Sequence, residues 1–496
     1  MAKKPGRKKL IRTVAWGDEV TVLAETAGHL EVEVVYYDEQ PDGSVVPRKT
    51  TGYIAPAKSS KIKPADAIRP LAQNEVLRVN FIDVQQGDGS VIESPDGKVI
   101  LVDGGDNQLF ARYLAGRFRG TSLAQPKPIE CILVTHGDAD HFLGLPEIYK
   151  SETNKKHLKR LFIQPRRVYH NGLVKRPAKK NNKALPDSAL LGPTKKVGKK
   201  MMLTGLVDDL LKVPDEDMNK PFRAWKAALK AYDERSAIQF RRLEFGDKAA
   251  FAFFNTSNLR IEVLGPLVEK VDGKPALKFL GEPPHGPRVG HESVSLEEME
   301  SGSRSASHTI NGHSVVFRLV YGGFSYLFSG DLNDEASRFL AKAYKDKKLE
   351  LTADVFKVPH HGSADFSGAF FQAVSPVVSV VSSGDESARK EYIHPRATLM
   401  GSLGKWSRVE EPLIFVTELV AFFQMEGWSR LTDAKKNKTR GEFFGFSRAA
   451  FGIVKTRTDG KRLLVYTDSG NVKMKEAYAY ALDSSGTPQP SAVSRA

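Results

Sequence analysis

The stretch "VTHGDADHFLGL", residues 134–145, places His136, Asp138, Asp140 and His141 within six positions, directly after the apolar run "ECILV". Carboxylates packed this tightly repel one another, and neutral imidazoles beside them relieve little of that repulsion, so the pattern asks for a positive charge. Further polar residues follow apolar, strand-like runs elsewhere: Asp103 after "VILV", Asp331 after "YLFSG", His360 and His361 after "DVFKVP", and His394 beyond "PVVSVVSSG". Side chains at strand ends collect along one edge of a sheet. Gathered there, five imidazoles and several carboxylates form a nitrogen and oxygen donor set without thiolate, suited to Zn²⁺, Mn²⁺ or Fe. Two cations would cancel the crowding of the carboxylates.

The elements that must position these residues can be read along the chain. Residues 76–103 run as a strand, "VLRVNFIDV", then a hairpin turning at Pro95-Asp96-Gly97. "NQLFARYLAGRF" has helical periodicity, and "IECILVTH" is a buried strand ending at the cluster. A second segment repeats the plan. "HSVVFRLVYGGFSYLFSGD" is a hairpin through Gly322-Gly323, "DEASRFLAKAY" a helix with acids at its positive end, and "ADVFKVPHHGS" a strand ending in histidines. Between them the pattern breaks. Residues 155–200 hold fifteen Lys and Arg and one acid, Asp187, which predicts an exposed basic insertion at about 150–235. Within it, Phe162 and Tyr169 are candidates for stacking on bases. His29, His157 and His170 are expected at the surface, and His308 and His313 in loops.

The expected domains are a basic arm at 1–12, an all-β unit at 13–57 that resembles an SH3-like barrel, a Pro- and Ser-containing linker at 58–75, a catalytic domain at 76–425, and a C-terminal extension at 426–496 with a hairpin at "TRTDGKRLLVYTD". The single cysteine, Cys131, excludes an internal disulfide and a multi-thiolate metal site. No apolar run approaches the roughly 20 residues of a membrane span. The basic N-terminus lacks the apolar core of a secretory signal, so a cytoplasmic protein with no membrane association is expected. The formal charge of +15 suggests a polyanionic partner, DNA more than RNA. The N-terminal β unit is a candidate for binding a protein partner.

The ordered motifs "FIDVQQGDGSVIES", "ILVDGG", "HGDADH", "FRLVYGGFSYLFSGDL" and "DVFKVPHHGS" resemble the metallo-β-lactamase-fold hydrolases, whose signature is H-x-H-x-D-H. With Asp138 at the second histidine position, the chain resembles the branch represented by the hydrolase domain of the competence protein ComEC. The resemblance implies a mixed α/β fold, an αββα sandwich, holding two divalent metal ions, zinc or manganese. His136 and Asp138 would bind the first ion. Asp140, His141 and His394 would bind the second, with Asp331 bridging. The loop histidine that many members use for the first ion corresponds here to Ile310 or Asn311, leaving His360 or His361 as the replacement. Asp83, Asp88, Asp103, Asn311 and Ser314 would line the cleft or back the ligands. Asp140, Asp331 and His361 are the catalytic candidates. The implied function is a phosphodiesterase, a nuclease acting on DNA. The alternatives are a hydrolase of a small phosphoester and a non-catalytic nucleic-acid-binding subunit of a DNA-processing or defence complex.

Overall fold

The computed structural model describes residues 20–54 except 27, 43 and 44; residue 68; residues 75–281 except 181; and residues 305–384, 394–424, 445–468 except 451, and 476–491. The basic arm and most of the expected linker lie outside the described residues.

Two large sheets form the body. In the first, the parallel strands Val99–Asp103, Cys131–Leu133, Arg167–His170 and Gln239–Arg242 lie side by side. The antiparallel strands Gly89–Glu93 and Leu77–Phe81 continue it on the other flank. The second sheet runs Leu259–Gly265, Val316–Tyr321, Phe324–Phe328, Val355–Lys357, Val378–Val381 and Leu413–Val416, parallel from Phe324–Phe328 onward. Alternation along each strand makes them a sandwich. Ile100 and Val102 face the inter-sheet core with Phe317, Leu319, Tyr326 and Phe328. Val99 and Leu101 point outward to the helices Leu109–Arg117 and Lys220–Arg235. On the far face Leu327 and Phe356 meet the helices Asp334–Lys345 and Gly368–Val374. The four layers are helices, sheet, sheet, helices, the αββα arrangement.

Near the N-terminus, Thr21–Thr26, His29–Glu39 and Val45–Ile54 form a three-stranded antiparallel sheet. At the other end, Ile453–Thr458 pairs with Leu77–Phe81, and Arg462–Asp468, Ala477–Leu482 and Pro488–Ser491 follow in order. The C-terminal strands therefore extend the first sheet itself. No helix among the described residues is long and apolar enough to cross a membrane.

The basic segment is more deeply built in than its composition suggested. Arg167–His170 is an interior strand of the first sheet. Tyr169 is buried and donates its hydroxyl hydrogen to the Ala250 carbonyl at 2.8 Å, so it is a core residue and cannot stack on bases. His170, expected at the surface, is also buried, its Nε2 3.3 Å from the Asp208 carbonyl. The helix Lys220–Arg235 starts at Asn219, whose side chain accepts from the Phe222 N–H at 3.1 Å. It buries Phe222, Trp225, Leu229 and Tyr232 along one stripe. The sequence "FRAWKAALKAYDER" reads as a basic amphipathic helix, and this is the helix found. The exposed insertion is confined to the hairpins around Lys179–Ala184 and Thr194–Leu203.

Phe317 and Phe328 stack at the centre of the inter-sheet core, with ring centroids 4.5 Å apart. Phe317→Ala is expected to destabilise the sandwich by about 3–5 kcal/mol, read as a lower urea midpoint at unchanged slope. A loss under about 1 kcal/mol would contradict a shared inter-sheet core.

Candidate metal centre

Each half of the sandwich delivers the carboxyl ends of its parallel strands to the same edge, where ligands bind in open α/β sheets. From the first sheet come Asp103, at the end of its strand, and the loop 134–141 after Cys131–Leu133. From the second come Asp331 after Phe324–Phe328, His360 and His361 after Val355–Lys357, and Ser382 after Val378–Val381.

Asp103 is the organiser of the first half. Its Oδ1 accepts from the Thr135 N–H at 2.7 Å, and its Oδ2 accepts from the Thr135 hydroxyl at 2.7 Å and from His141 Nδ1 at 2.9 Å. The loop "QQGDG" packs against the loop 138–141 so closely that a Cβ on Gly87 would fall 1.7 Å from the Asp140 carbonyl oxygen. This approach brings Gln86 Nε2 to 3.2 Å from Asp140 Oδ2 and buries Asp88 beside His361. Asp83 turns the same loop, its Oδ1 accepting from the Gln85 N–H at 3.1 Å. Asp103, His360 and His361 all have positive φ, 55°, 51° and 52°. Such strain costs about 1–3 kcal/mol per residue and persists where the surroundings over-determine it.

Asp140, His141, Asp331 and His361 bring one donor atom each within 4.8 Å of one another. His141 Nε2 lies 3.1 Å from Asp331 Oδ1, and His361 Nε2 lies 3.2 Å from Asp331 Oδ2 and 3.3 Å from Asp140 Oδ2. Yet His141 Nε2, His361 Nε2 and Asp331 Oδ1 are buried without a hydrogen bond of acceptable geometry. The Nδ1 atoms are occupied elsewhere, that of His141 by Asp103 and that of His361 by the Ser382 carbonyl at 3.1 Å. A carboxylate or carbonyl behind Nδ1 fixes the tautomer that turns the Nε2 lone pair forward. Two such lone pairs aimed at carboxylate oxygens fit a cation at their centre, so the residues suit a divalent metal.

The electrostatics agree. Burial would lower the pKa of His141, but Asp331 and Asp103 raise it well above the usual imidazole value. Burial acts the same way on His361, and Asp331, Asp140 and Asp88 likewise raise it. Burial would raise Asp331, but the charges of His141 and His361 hold it well below the usual carboxylate range. His136 behaves differently: burial and the neighbouring His141 push it down to about 3. Its Nε2 is 3.8 Å from Asp331 Oδ2, and its Nδ1 is 3.2 Å from Thr135 Oγ1 and 3.3 Å from Ser314 Oγ.

The remaining candidates stand around this group. Asp138 pairs with Lys175 Nζ at 2.8 Å. Ser314 Oγ accepts from the Asp331 N–H at 3.0 Å and donates to the Asn311 carbonyl at 2.8 Å. His360, half-buried, has its Nε2 3.4 Å from the Asn311 side-chain amide and its ring centroid 6.4 Å from that of His394. The paired histidines are thus separated: His361 joins the four-donor group, and His360 faces Asn311 and His394. His308 and His313 are buried rather than in loops. His308 lies inside the helix Ala306–Gly312 and contacts Asp365 at 3.5 Å, and His313 caps that helix and contacts the Lys278 carbonyl at 2.7 Å.

Two lysines were not singled out from the sequence. Lys357 is 2% exposed and pairs with Asp88 at 2.7 Å. A lysine inside the apolar strand "DVFKVP" was the available signal. Lys175 had none, being one cation in a run of them.

Residues 82–163 match the family model described as the Metallo-beta-lactamase superfamily. A segment of 86 residues is 41% identical to the "Competence protein ComA" of Neisseria gonorrhoeae, covering 17% of this chain and 12% of that protein. A segment of 98 residues is 32% identical to the "ComE operon protein 3" of Bacillus subtilis (strain 168), covering 20% of this chain and 12% of that protein. The chain thus spans about an eighth of the length of these curated relatives. Among solved structures, it is similar to a diphosphatase from the PhnP family at 12% identity and a TM-score of 0.26, over 64% of this chain and 90% of that one.

The carboxylates that raise His141 and His361 favour a proton where a cation would sit, so a cation entering the four-donor group competes with protons. Binding of Zn²⁺ or Mn²⁺ in weakly buffered solution at pH 7 is expected to release up to about two protons per ion. Affinity is then expected to fall as pH falls, by up to about tenfold per proton per pH unit. Calorimetry in two buffers of different ionisation enthalpy measures this. Proton-neutral binding would contradict the assignment.

Proposed function

From the premise that the chain carries a metallo-β-lactamase-superfamily domain, we propose that it is a metal-dependent phosphodiesterase, a nuclease acting on DNA. The observation that carries the hydrolase reading is the buried set of unpartnered donor atoms on His141, Asp331 and His361. A divalent cation held by Asp140, His141, Asp331 and His361 supplies Lewis acidity toward a phosphoryl oxygen and toward a water.

The chain's own residues do the rest. Asp103 and Ser382 fix the two imidazole tautomers, and Ser314 fixes the Asp331 backbone. Asp140 is the half-buried carboxylate of the group and is steadied by Gln86, so it is placed to orient an attacking water and take its proton. His360, beside Asn311 at the open side, is placed to donate to a phosphoryl or leaving oxygen.

The nucleic-acid reading is supported by where the basic insertion is anchored. Lys175 ties its start to Asp138, and Asp187 accepts from the Ala306 N–H at 2.8 Å, joining it to the helix that carries Asn311. Lys179, Lys180, Lys183, Lys196 and Lys199 stand exposed on the hairpins that follow. Such a cationic rim suits a phosphate backbone. The three-stranded N-terminal sheet exposes Val22, Leu23, Val35, Tyr36 and Tyr37, which supports the reading of that unit as a contact for a protein partner.

Labelled single- and double-stranded DNA incubated with Mn²⁺ or Zn²⁺ is expected to be cut by the wild type, with Asp140→Ala slower by at least about 10³-fold. Binding to uncleavable DNA is expected to weaken steeply between low and physiological salt. Equal cutting by both proteins would overturn the site. Turnover of a small phosphodiester with no response to salt would favour a small-molecule hydrolase.

A further inference from the structure

Asp138 stands where the family signature has its second histidine, and its surroundings are not those of a metal ligand. Its Oδ1 accepts from Lys175 Nζ at 2.8 Å. Its Oδ2 lies 3.0 Å from the Asn311 amide nitrogen in the orientation that satisfies that side chain. Lys175 Nζ also donates to Ser307 Oγ at 3.3 Å. His136 stands nearby with its Nδ1 against Thr135 and Ser314. The segment that carries the remaining histidine in many family members brings Asn311 here, while His308 and His313 turn to Asp365 and the Lys278 carbonyl. Beyond His360, which faces Asn311, this half of the centre therefore offers the His136 imidazole, the shared Asp331, and a carboxylate already neutralised by an ammonium. A second divalent ion would have to strip Lys175 from Asp138 and then sit beside it.

We propose that the centre holds one divalent cation, in the Asp140, His141, Asp331 and His361 group, and that the Lys175 ammonium seated on Asp138 supplies the second positive charge. The inference rests on the hydrolase reading above. An ammonium carries three donors. Two of them are taken by Asp138 and Ser307. The side chain keeps 24% of its surface exposed, which leaves the third available to a ligand. A phosphoryl oxygen would then be held between a metal on one side and Lys175 on the other, with Asn311 and His360 at its flank. Lysine acts here as a point charge, a role it fills at many phosphate sites.

The test loads the full chain with Mn²⁺, removes the excess, and measures metal content together with the electron paramagnetic resonance spectrum. One ion per chain with the spectrum of an isolated Mn²⁺ is expected. Two ions per chain with an exchange-coupled spectrum would overturn this inference and leave the hydrolase reading standing. A folded wild type that retains no metal would overturn the hydrolase reading itself. In Lys175→Ala, phosphodiester hydrolysis is expected to fall about 100-fold, with the affinity of the first ion changed less than about threefold. That variant is also expected to admit a second, weaker Mn²⁺, and added ethylammonium to restore part of the rate. Wild-type turnover in Lys175→Ala, at unchanged metal content, would remove Lys175 from the mechanism.

Discussion

Desolvated negative charge at one edge of the sandwich is the constraint that the rest of the structure serves. Asp88, Asp103 and Asp331 are each less than 5% exposed, and Asp140 stands beside them half-buried. A carboxylate taken out of water costs several kcal/mol unless it is paired and hydrogen-bonded. The fold compensates them unequally. Asp103 is satisfied by the Thr135 N–H, the Thr135 hydroxyl and His141. Asp88 is paired through Oδ2 with the buried Lys357, and its Oδ1 faces His361 Nδ1 at 3.4 Å. Asp331 and Asp140 are left facing the Nε2 atoms of imidazoles whose other nitrogens are already engaged. The unpaired negative charge is thus concentrated where a cation would be approached by four protein atoms at once.

That concentration explains features that packing alone would not produce. Left-handed backbone at Asp103, His360 and His361 is unfavourable for residues with side chains, and all three occur where a strand hands over to a site loop. Gly87 allows the "QQGDG" loop to lie directly on the Asp140 carbonyl, which any larger residue would prevent. The inter-sheet core, with Phe317 stacked on Phe328, holds the two halves in register, so Asp331 from the second sheet meets His141 from the first. Small shifts between the sheets would separate ligands that the chain supplies far apart.

The sandwich was legible because its strands are apolar and alternate, and because polar residues stop them abruptly. The group at 136–141, Asp331 and the paired histidines all announced themselves that way, and the structure brings them to one edge. Less legible was anything encoded by lysine and arginine. Arg167 precedes the buried Val168 and Tyr169 on an interior strand, yet the surrounding charges read as a loop. The helix Lys220–Arg235 is the exception, since its apolar spacing shows through the basic residues of "FRAWKAALKAYDER". Pairing of His360 and His361 with different neighbours was unreadable, since it depends on two successive positive-φ residues that turn the rings apart. The C-terminal strands looked like an appendage because sequence distance conceals their pairing with Leu77–Phe81.

Lys175 and Lys357 show why net charge alone cannot describe this chain. Most of its lysines lie on the surface, where an ion pair such as Lys200 with Glu269 is worth little and salt screens it. Lys357 is buried in a strand and pairs with Asp88, which in turn lies 3.4 Å from His361 Nδ1. Lys175 stands between these extremes, at the point where the basic hairpins leave the body and the carboxylate edge begins. The chain thereby grades its positive charge from a screened rim, through a half-exposed ammonium on Asp138, to a fully buried one behind the metal ligands. If the proposed polyanionic substrate approaches along that gradient, it exchanges counterions with the exposed lysines first and meets the least screened charge at the buried group.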